Sequence, residues 1–179
     1  MPKPIILIAA CDEKRGIGYK NALPWVLPDE LIRFKQWTTC TSSPEKRNMV
    51  IMGRNTWESL PRRPLQKRFN MVLTQHPQVI EQEFMNMDPN DASYCGSFVE
   101  AIEYANRDPS IEQIYIIGGA KLYSDVLKKN LCDKILLTRV HGIHDVDTYL
   151  DEIPETHYEE CYIKMCDGND FFVYKRRSP

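Results

Sequence analysis

Gln113 to Tyr123 reads QIYIIGGAKLY. Its first half is an apolar, β-favouring run of strand length and its second half has helical spacing, with Gly118 and Gly119 between them. A strand that turns on glycine straight into a helix is the joint of an α/β layer fold, in which strands lie mostly parallel beneath helices. The same joint presents free backbone N–H groups and the positive end of a helix dipole, which suits a phosphate. A plain tight turn explains the glycines equally well. The stretch is neither the G-x-G-x-x-G fingerprint nor a P-loop, because the later glycines and the G-K-[ST] are missing.

Outward from this joint the pattern repeats. PIILIAACD (4–12), NMVIMG (48–53) and FNMVLT (69–74) are continuous apolar runs, the mark of strands covered on both faces. Helical patterns lie between them: DELIRFKQW (29–37), NTWESL (55–60), SFVEAIEYAN (97–106) with a capping box at Ser97 and Glu100, and AKLYSDVLKK (120–129). MGRNTWESL (52–60) is a second strand, glycine and helix joint. Two such joints could hold the two ends of one dinucleotide, with Arg54 and Lys121 converging on an extra phosphate; taken singly, both read as ordinary surface charges. In the tail, HYEECYIKMC (157–166) and DFFVYKRR (170–177) flank the turn-forming DGND and predict an antiparallel hairpin. PRRPLQKR (61–68) and HPQVIEQEFMNMDPND (76–91) read as irregular, Pro-punctuated connections.

Composition narrows the function classes. A chain of 179 residues suits one domain with a well-buried core. With 23 basic against 25 acidic residues, nothing points to a nucleic-acid or membrane partner. The six cysteines form no C-x-x-C pair, and the apolar run after Lys3 is too short for a secretory signal or a membrane span, so free thiols in the cytoplasm are expected. HGIHD (141–145) has two histidines three apart, but the glycine between them opposes a helix presenting both on one face, and no third ligand has recognisable spacing. No metal site is expected, and no nucleophile and base pairing emerges.

Glu30 is the odd residue of the first helical pattern. Leu27, Leu31, Phe34 and Thr38 form its apolar stripe, and Glu30 sits at the edge, one and two turns from Phe34 and Trp37. A glutamate there can snorkel to water or can serve a pocket; the helical pattern alone favours water.

Taken together, the segments IAACDEKRGIGYKNALPW (8–25), PDELIRFK (28–35), VIMGRNTWESLP (50–61), RPLQKRFNMVL (63–73), IYIIGGAKLY (114–123), ILLTRV (135–140) and DVDTYL (145–150) resemble the dihydrofolate reductase family, in its order and spacing. The resemblance implies one domain over residues 1–179, with a three-layer fold, an eight-stranded and mostly parallel central sheet, and a C-terminal antiparallel hairpin. It implies NADPH-dependent reduction of dihydrofolate to tetrahydrofolate by a monomer, with no nucleic-acid or membrane partner.

By position, Glu30 matches the family's active-site carboxylate and Thr138 the hydroxyl bridging it to the pterin; Leu23 and Trp25 fall in the catalytic loop, Gly16 to Trp25. Ala10, Phe34, Lys35, Leu60 and Leu65 match the substrate slot, and Arg68 the cation for the substrate's α-carboxylate. For the cofactor, Ala10 and Ile17 match the nicotinamide end. Gly53, Arg54, Asn55 and Thr56 match a phosphate and adenosine region, and Thr74 and Gln75 the adenosine-side loop. Ile117, Gly118, Gly119, Ala120, Lys121, Leu122 and Tyr123 match the pyrophosphate turn, its glycines joined by a cis bond in the family, and Asp147 matches a support for the mobile loop. Departures are mild: Ala120 replaces a third small residue such as glycine or serine, DTYLDEIP (147–154) lacks the proline usual two residues after the aromatic position, and TTCTSSPEKRN (38–48) is long. The rival readings are a related reductase of another pterin or a riboflavin precursor, and a silent pterin- or nucleotide-binding protein. Arg68 opposes the first and the retained Glu30, Thr138 and Phe34 oppose the second.

Overall fold

The apolar runs of the sequence become the middle of one sheet. The structure, a computed structural model, describes residues 2–166 and 168–179. The four runs are strands β1 (Ile5–Cys11), β3 (Arg47–Gly53), β4 (Arg68–Leu73) and β6 (Ile111–Gly118). With β5 (Ala92–Cys95), β7 (Lys134–Arg139), β9 (Tyr158–Cys166) and β10 (Asn169–Arg176) they form an eight-stranded sheet in the order β5-β4-β3-β6-β1-β7-β10-β9. Pairing is parallel from β5 across to β7, then antiparallel from β7 to β10 and from β10 to β9. The C-terminal hairpin is therefore present, although the turn read at 167–170 begins on Asp167, outside the described residues.

Strand alternation divides the core in two. On one face Leu7, Ala9, Met49, Ile51, Ile114 and Ile116 pack with α4 (Phe98–Arg107) and α5 (Ala120–Lys128). On the other, Ile6, Ile8, Val50, Met52 and Tyr115 pack with α1 (Pro28–Thr39), α2 (Arg54–Ser59) and α3 (Glu81–Met85). Ser97 caps α4 as expected, since the N–H of Glu100 donates to Ser97 Oγ at 3.2 Å, and the Glu100 carboxylate returns to the Ser97 hydroxyl at 3.1 Å. No helix among the described residues is long and apolar enough to cross a membrane.

Two local readings change. The segment 76–91, read as irregular, contains a 3-10 turn, Pro77–Val79, and α3. Ile80 is buried and Phe84 packs on Trp57 with ring centroids 5.1 Å apart, so one turn of amphipathic chain is too short to show a period in the sequence. The stripe of α1 is buried only in part: Thr38 is fully buried and Phe34 and Trp37 pack on the core, whereas Leu31 is 51% exposed. The helix packs by its C-terminal half, and its first turn stands clear of the core.

A separate two-stranded ribbon pairs β2 (Gly16–Gly18) with β8 (Thr148–Tyr149). Beyond β2 the chain reverses at Tyr19 to Ala22, which exchange two backbone hydrogen bonds of 2.9 and 3.0 Å around Lys20 and Asn21, both left-handed at φ 48° and 59°. That is the backbone of a type I′ turn, which a Lys-Asn pair does not advertise as clearly as Asn-Gly would.

Candidate active site

Most of the candidate residues gather where the parallel strands end, the edge at which open α/β sheets hold ligands, whereas Arg68 opens β4 at the opposite end of its strand. Ala10 and Cys11 close β1, Gly53 closes β3, Thr74 follows β4 and Gly118 closes β6. Thr138 of β7 is the direct neighbour of Ala10 on β1 and of Phe171 on β10. Alternation puts Ala10 and Thr138 on the face of Ile6, Ile8 and Leu136, against which Phe34, Leu60, Leu65 and Ile117 are packed.

Glu30 is brought to that edge by the first turn of α1. The helix starts at Pro28, and its N-cap Leu27 supplies no side-chain cap, so a carboxylate in the first turn is favoured by uncapped N–H groups and the dipole. Thr138, 2% exposed, donates its hydroxyl to Glu30 Oε1 at 3.3 Å. Burial raises the proton affinity of the Glu30 carboxyl; the Thr138 hydroxyl and the Arg33 guanidinium oppose that rise without cancelling it. Of the two alternatives left by the helical pattern, a carboxylate turned inward against Thr138 is the one observed.

Arg68 occupies the side of β4 facing α1. It is 6% exposed, donates from Nε to the Gln66 carbonyl and from Nη1 to Thr38 Oγ1, both at 2.9 Å, and has no carboxylate within 4.0 Å among the described residues. Burial makes its guanidinium somewhat easier to deprotonate, as expected for a cation removed from water without a counter-ion. Such a cation suits an incoming anion. Lys35, also on α1, is exposed.

The two glycine joints lie side by side. A Cβ built on Gly53 would stand 3.9 Å from the backbone nitrogen of Gly119, and one built on either Gly118 or Gly119 would stand 3.3 Å from Thr56 Oγ1 of α2. The Gly118–Gly119 peptide is cis, and Gly118 has φ +129°, a conformation open to glycine alone in practice. Neither α2 nor α5 has a side-chain N-cap, which leaves the N–H groups of both helix starts free. Around the joints, Ala120 and the exposed Lys121 open α5, Arg54 pairs with Glu58 at 3.1 Å, and Asn55 accepts from Asn21 at 3.3 Å. Thr74 accepts the N–H of His76 at 3.0 Å, and Gln75 donates to the Gly96 carbonyl.

Leu122 and Tyr123 are core side chains. The Tyr123 hydroxyl donates to the Ile8 carbonyl at 2.7 Å, and its ring lies under Gly118, so what these two residues present to the joint is backbone.

The segment 16–25 spans the mouth of this region. Asp147 accepts the Lys20 N–H at 2.9 Å and Asp147's own N–H donates to the Gly18 carbonyl at 2.9 Å, while Asn21 reaches α2. Ile17 packs against the core, Leu23 is 55% exposed and Trp25 is 9% exposed. Thr38, read only as part of the apolar stripe, and Arg33, whose charge acts on Glu30, escaped the sequence reading; neither carries a pattern signal, because their roles depend on Arg68 and Glu30 arriving from elsewhere in the chain.

A family profile described as dihydrofolate reductase matches residues 4–174. The chain is 36% identical to a dihydrofolate reductase of Heliothis virescens, over 95% of this chain and 96% of that one. It is 36% identical to a dihydrofolate reductase of Candida albicans, over 83% of this chain and 76% of that one. It is 35% identical to a bifunctional dihydrofolate reductase-thymidylate synthase of Daucus carota over 87% of this chain, but spans only 30% of the length of that relative. The chain belongs to the dihydrofolate reductase family.

Proposed function

We propose that the chain, acting as a single domain, reduces 7,8-dihydrofolate to tetrahydrofolate with NADPH. The observation that carries the reading is the half-buried Glu30 carboxylate paired with the buried Thr138 hydroxyl at the end of the parallel sheet. A carboxylate accepts two parallel hydrogen bonds, which matches the 2-amino group and ring N–H of a pterin. Phe34, Leu60 and Leu65 supply the apolar walls, and Arg68, buried without a counter-ion, suits the α-carboxylate of the glutamate tail.

The fit to a dinucleotide rests on the paired joints. Gly53 and Gly119 lie close enough for one diphosphate to meet both uncapped helix starts, and side chains at Gly118 or Gly119 would crowd Thr56. Arg54 and Lys121 are the cations for a 2'-phosphate. When bound, the cofactor supplies the hydride, delivered to pterin carbon 6. The chain would align and shield: Ala10 and Ile17 would line the nicotinamide end, and the segment from Gly16 to Trp25, with Leu23 and Trp25, would exclude water on closing. Glu30 holds the pterin and favours its protonated form, and a water molecule brings the proton to nitrogen 5. The raised proton affinity of Glu30 brings carboxyl and pterin nearer to sharing a proton.

Glu30→Gln tests this. NADPH binding should be kept, and turnover at neutral pH should fall by about 100-fold or more, the usual scale of a lost acid–base group, with partial recovery in acid. Near-normal turnover at neutral pH would refute the role. The rival reading, a reductase of a substrate without a glutamate tail, requires Arg68 to be dispensable for the substrate used.

A further inference from the structure

HGIHD (141–145) has no part in the chemistry above, yet it meets the active-site loop through a pair of the buried Asp12 with His144, whose side chain is 28% exposed. Asp12, just after β1, has a side chain with no exposure. Its Oδ1 accepts the N–H of Lys14 at 2.9 Å and of Gly16 at 2.8 Å, and its Oδ2 accepts the N–H of His144 at 3.0 Å. One carboxylate thus ties the start of the loop to the segment that carries Asp147. Burial alone would raise its proton affinity, but those three N–H groups and His144 outweigh it and hold the carboxyl below the ordinary range. Asp12 is therefore an anion wherever histidine titrates.

The His144 ring lies between this anion and the loop. Its Nδ1 is buried, makes no hydrogen bond among the described residues, and stands 3.9 Å from Asp12 Oδ2. The ring meets Trp25 nearly at right angles, 72°, with centroids 5.3 Å apart. Other charges nearby are committed or peripheral. Glu13 is held by the N–H of Gly142 at 3.1 Å, Arg15 by Glu152 at 3.0 Å and His141 by Asp170 at 3.2 Å, while Lys14 and Asp145 flank the pair in sequence. From Ala22 to Pro28 the segment carrying Trp25 has no ionisable side chain.

We propose that Asp12 and His144 are a positioning pair for the active-site loop, in which the imidazolium, turned toward Asp12, holds Trp25 in place. With a proton on Nδ1 the ring is attracted both to the carboxylate and to the indole π face. When the ring loses its charge, a neutral Nδ1–H can still face Asp12, but the attraction of the imidazolium for the carboxylate and for the indole is lost, and the contact that seats Trp25 loosens. The effect on turnover rests on the reading of residues 16–25 as the loop that closes on the nicotinamide; the seating of Trp25 does not.

The full chain, His144→Phe and His144→Gln are compared by tryptophan fluorescence between pH 5 and 9, and by steady-state NADPH oxidation with dihydrofolate over the same range. The parent should show a fluorescence step between pH 5 and 8 that both variants lack. Its kcat should exceed that of His144→Phe by about threefold to tenfold at the acid end, the scale of a partly buried cation–π contact, and converge with it above about pH 8, with KM for dihydrofolate changed less than twofold. A parent without the step overturns the pairing with no variant needed, as does a step that survives in His144→Phe or His144→Gln. A kcat ratio independent of pH makes His144 a packing residue and also overturns it. A parent that fails to turn over dihydrofolate overturns the proposed function instead, and the fluorescence comparison still decides the pair.

Discussion

Thr138→Val removes one hydroxyl from the centre of the site and keeps a side chain of similar shape on a strand position only 2% exposed. In the parent that hydroxyl donates to Glu30 at 3.3 Å. Hydrogen bonds to charged groups are worth about 1.5–3 kcal/mol, and a separation beyond the usual 2.5–3.0 Å for O–H···O places this one near the lower end, about 1.5 kcal/mol. The loss falls on the ionised carboxylate, so the proton affinity of Glu30, already raised by burial, should rise about tenfold further. The sign for stability follows. A carboxyl whose folded pKa lies above its unfolded one keeps its proton in the folded state while the unfolded chain has released it. Stability therefore falls as pH rises from the ordinary glutamate value of 4.5 through the folded pKa, and stays at the lower level above it. In Thr138→Val that fall should be deeper by about 1.5 kcal/mol, whereas the constant effect of valine packing is the same at every pH. Urea unfolding of the ligand-free parent and variant at about pH 4 and about pH 8 measures the difference. A carbon-13 label on the glutamate carboxyls follows the Glu30 midpoint directly. An equal stability difference at both pH values, or a midpoint that stays or moves down, would refute the account of Glu30.

Arg68→Met should leave the stability of the free chain within about 1 kcal/mol, since the lost hydrogen bonds are offset by relief of a buried unpaired charge. KM for dihydrofolate should rise by roughly 30-fold or more, with little change for a pteridine lacking the glutamate tail; equal effects on both substrates would remove the carboxylate assignment. Arg54→Ala should cost under about 0.5 kcal/mol of stability, because its Glu58 partner is a part-exposed helical pair, and should weaken NADPH roughly tenfold while NADH, titrated alongside, changes little. Gly118→Ala should lower stability by about 1–3 kcal/mol from its φ of +129°, with added crowding of Thr56 at 3.3 Å. Gly119→Ala, at φ −90°, should lose less, and a thermal melt in which the two variants coincide would contradict the backbone argument.

The strands that the sequence makes plain are those buried on both faces. IILIAAC and, after their first polar residue, NMVIMG and QIYIIG are continuous apolar runs because helices cover both sides, and a continuous run needs no partner to be recognised. β5, a four-residue edge strand reading ASYC, and the β2 and β8 ribbon lack that mark because they are short and lie at the margins. The glycine joints were legible as turns, but not as neighbours: Gly53 and Gly119 are far apart in the chain, and the parallel pairing of β3 with β6 alone brings them together.

By itself the sequence determined the α/β layering, the two strand-to-helix joints and the C-terminal hairpin, because each is written in local periodicity and turn chemistry. Through the ordered set of motifs it also pointed to the family. What Glu30 does was open at that level, since an acid at the edge of a helical stripe can reach water as easily as a pocket. Tertiary structure decided where the side chain turns: α1 packs by its C-terminal half, and the Thr138 hydroxyl is set against the Glu30 carboxylate. The Asp12 and His144 pair was likewise beyond local reading. Asp12 follows β1 and His144 lies in the loop after β7, far along the chain, and only the approach of the two loops sets one against the other.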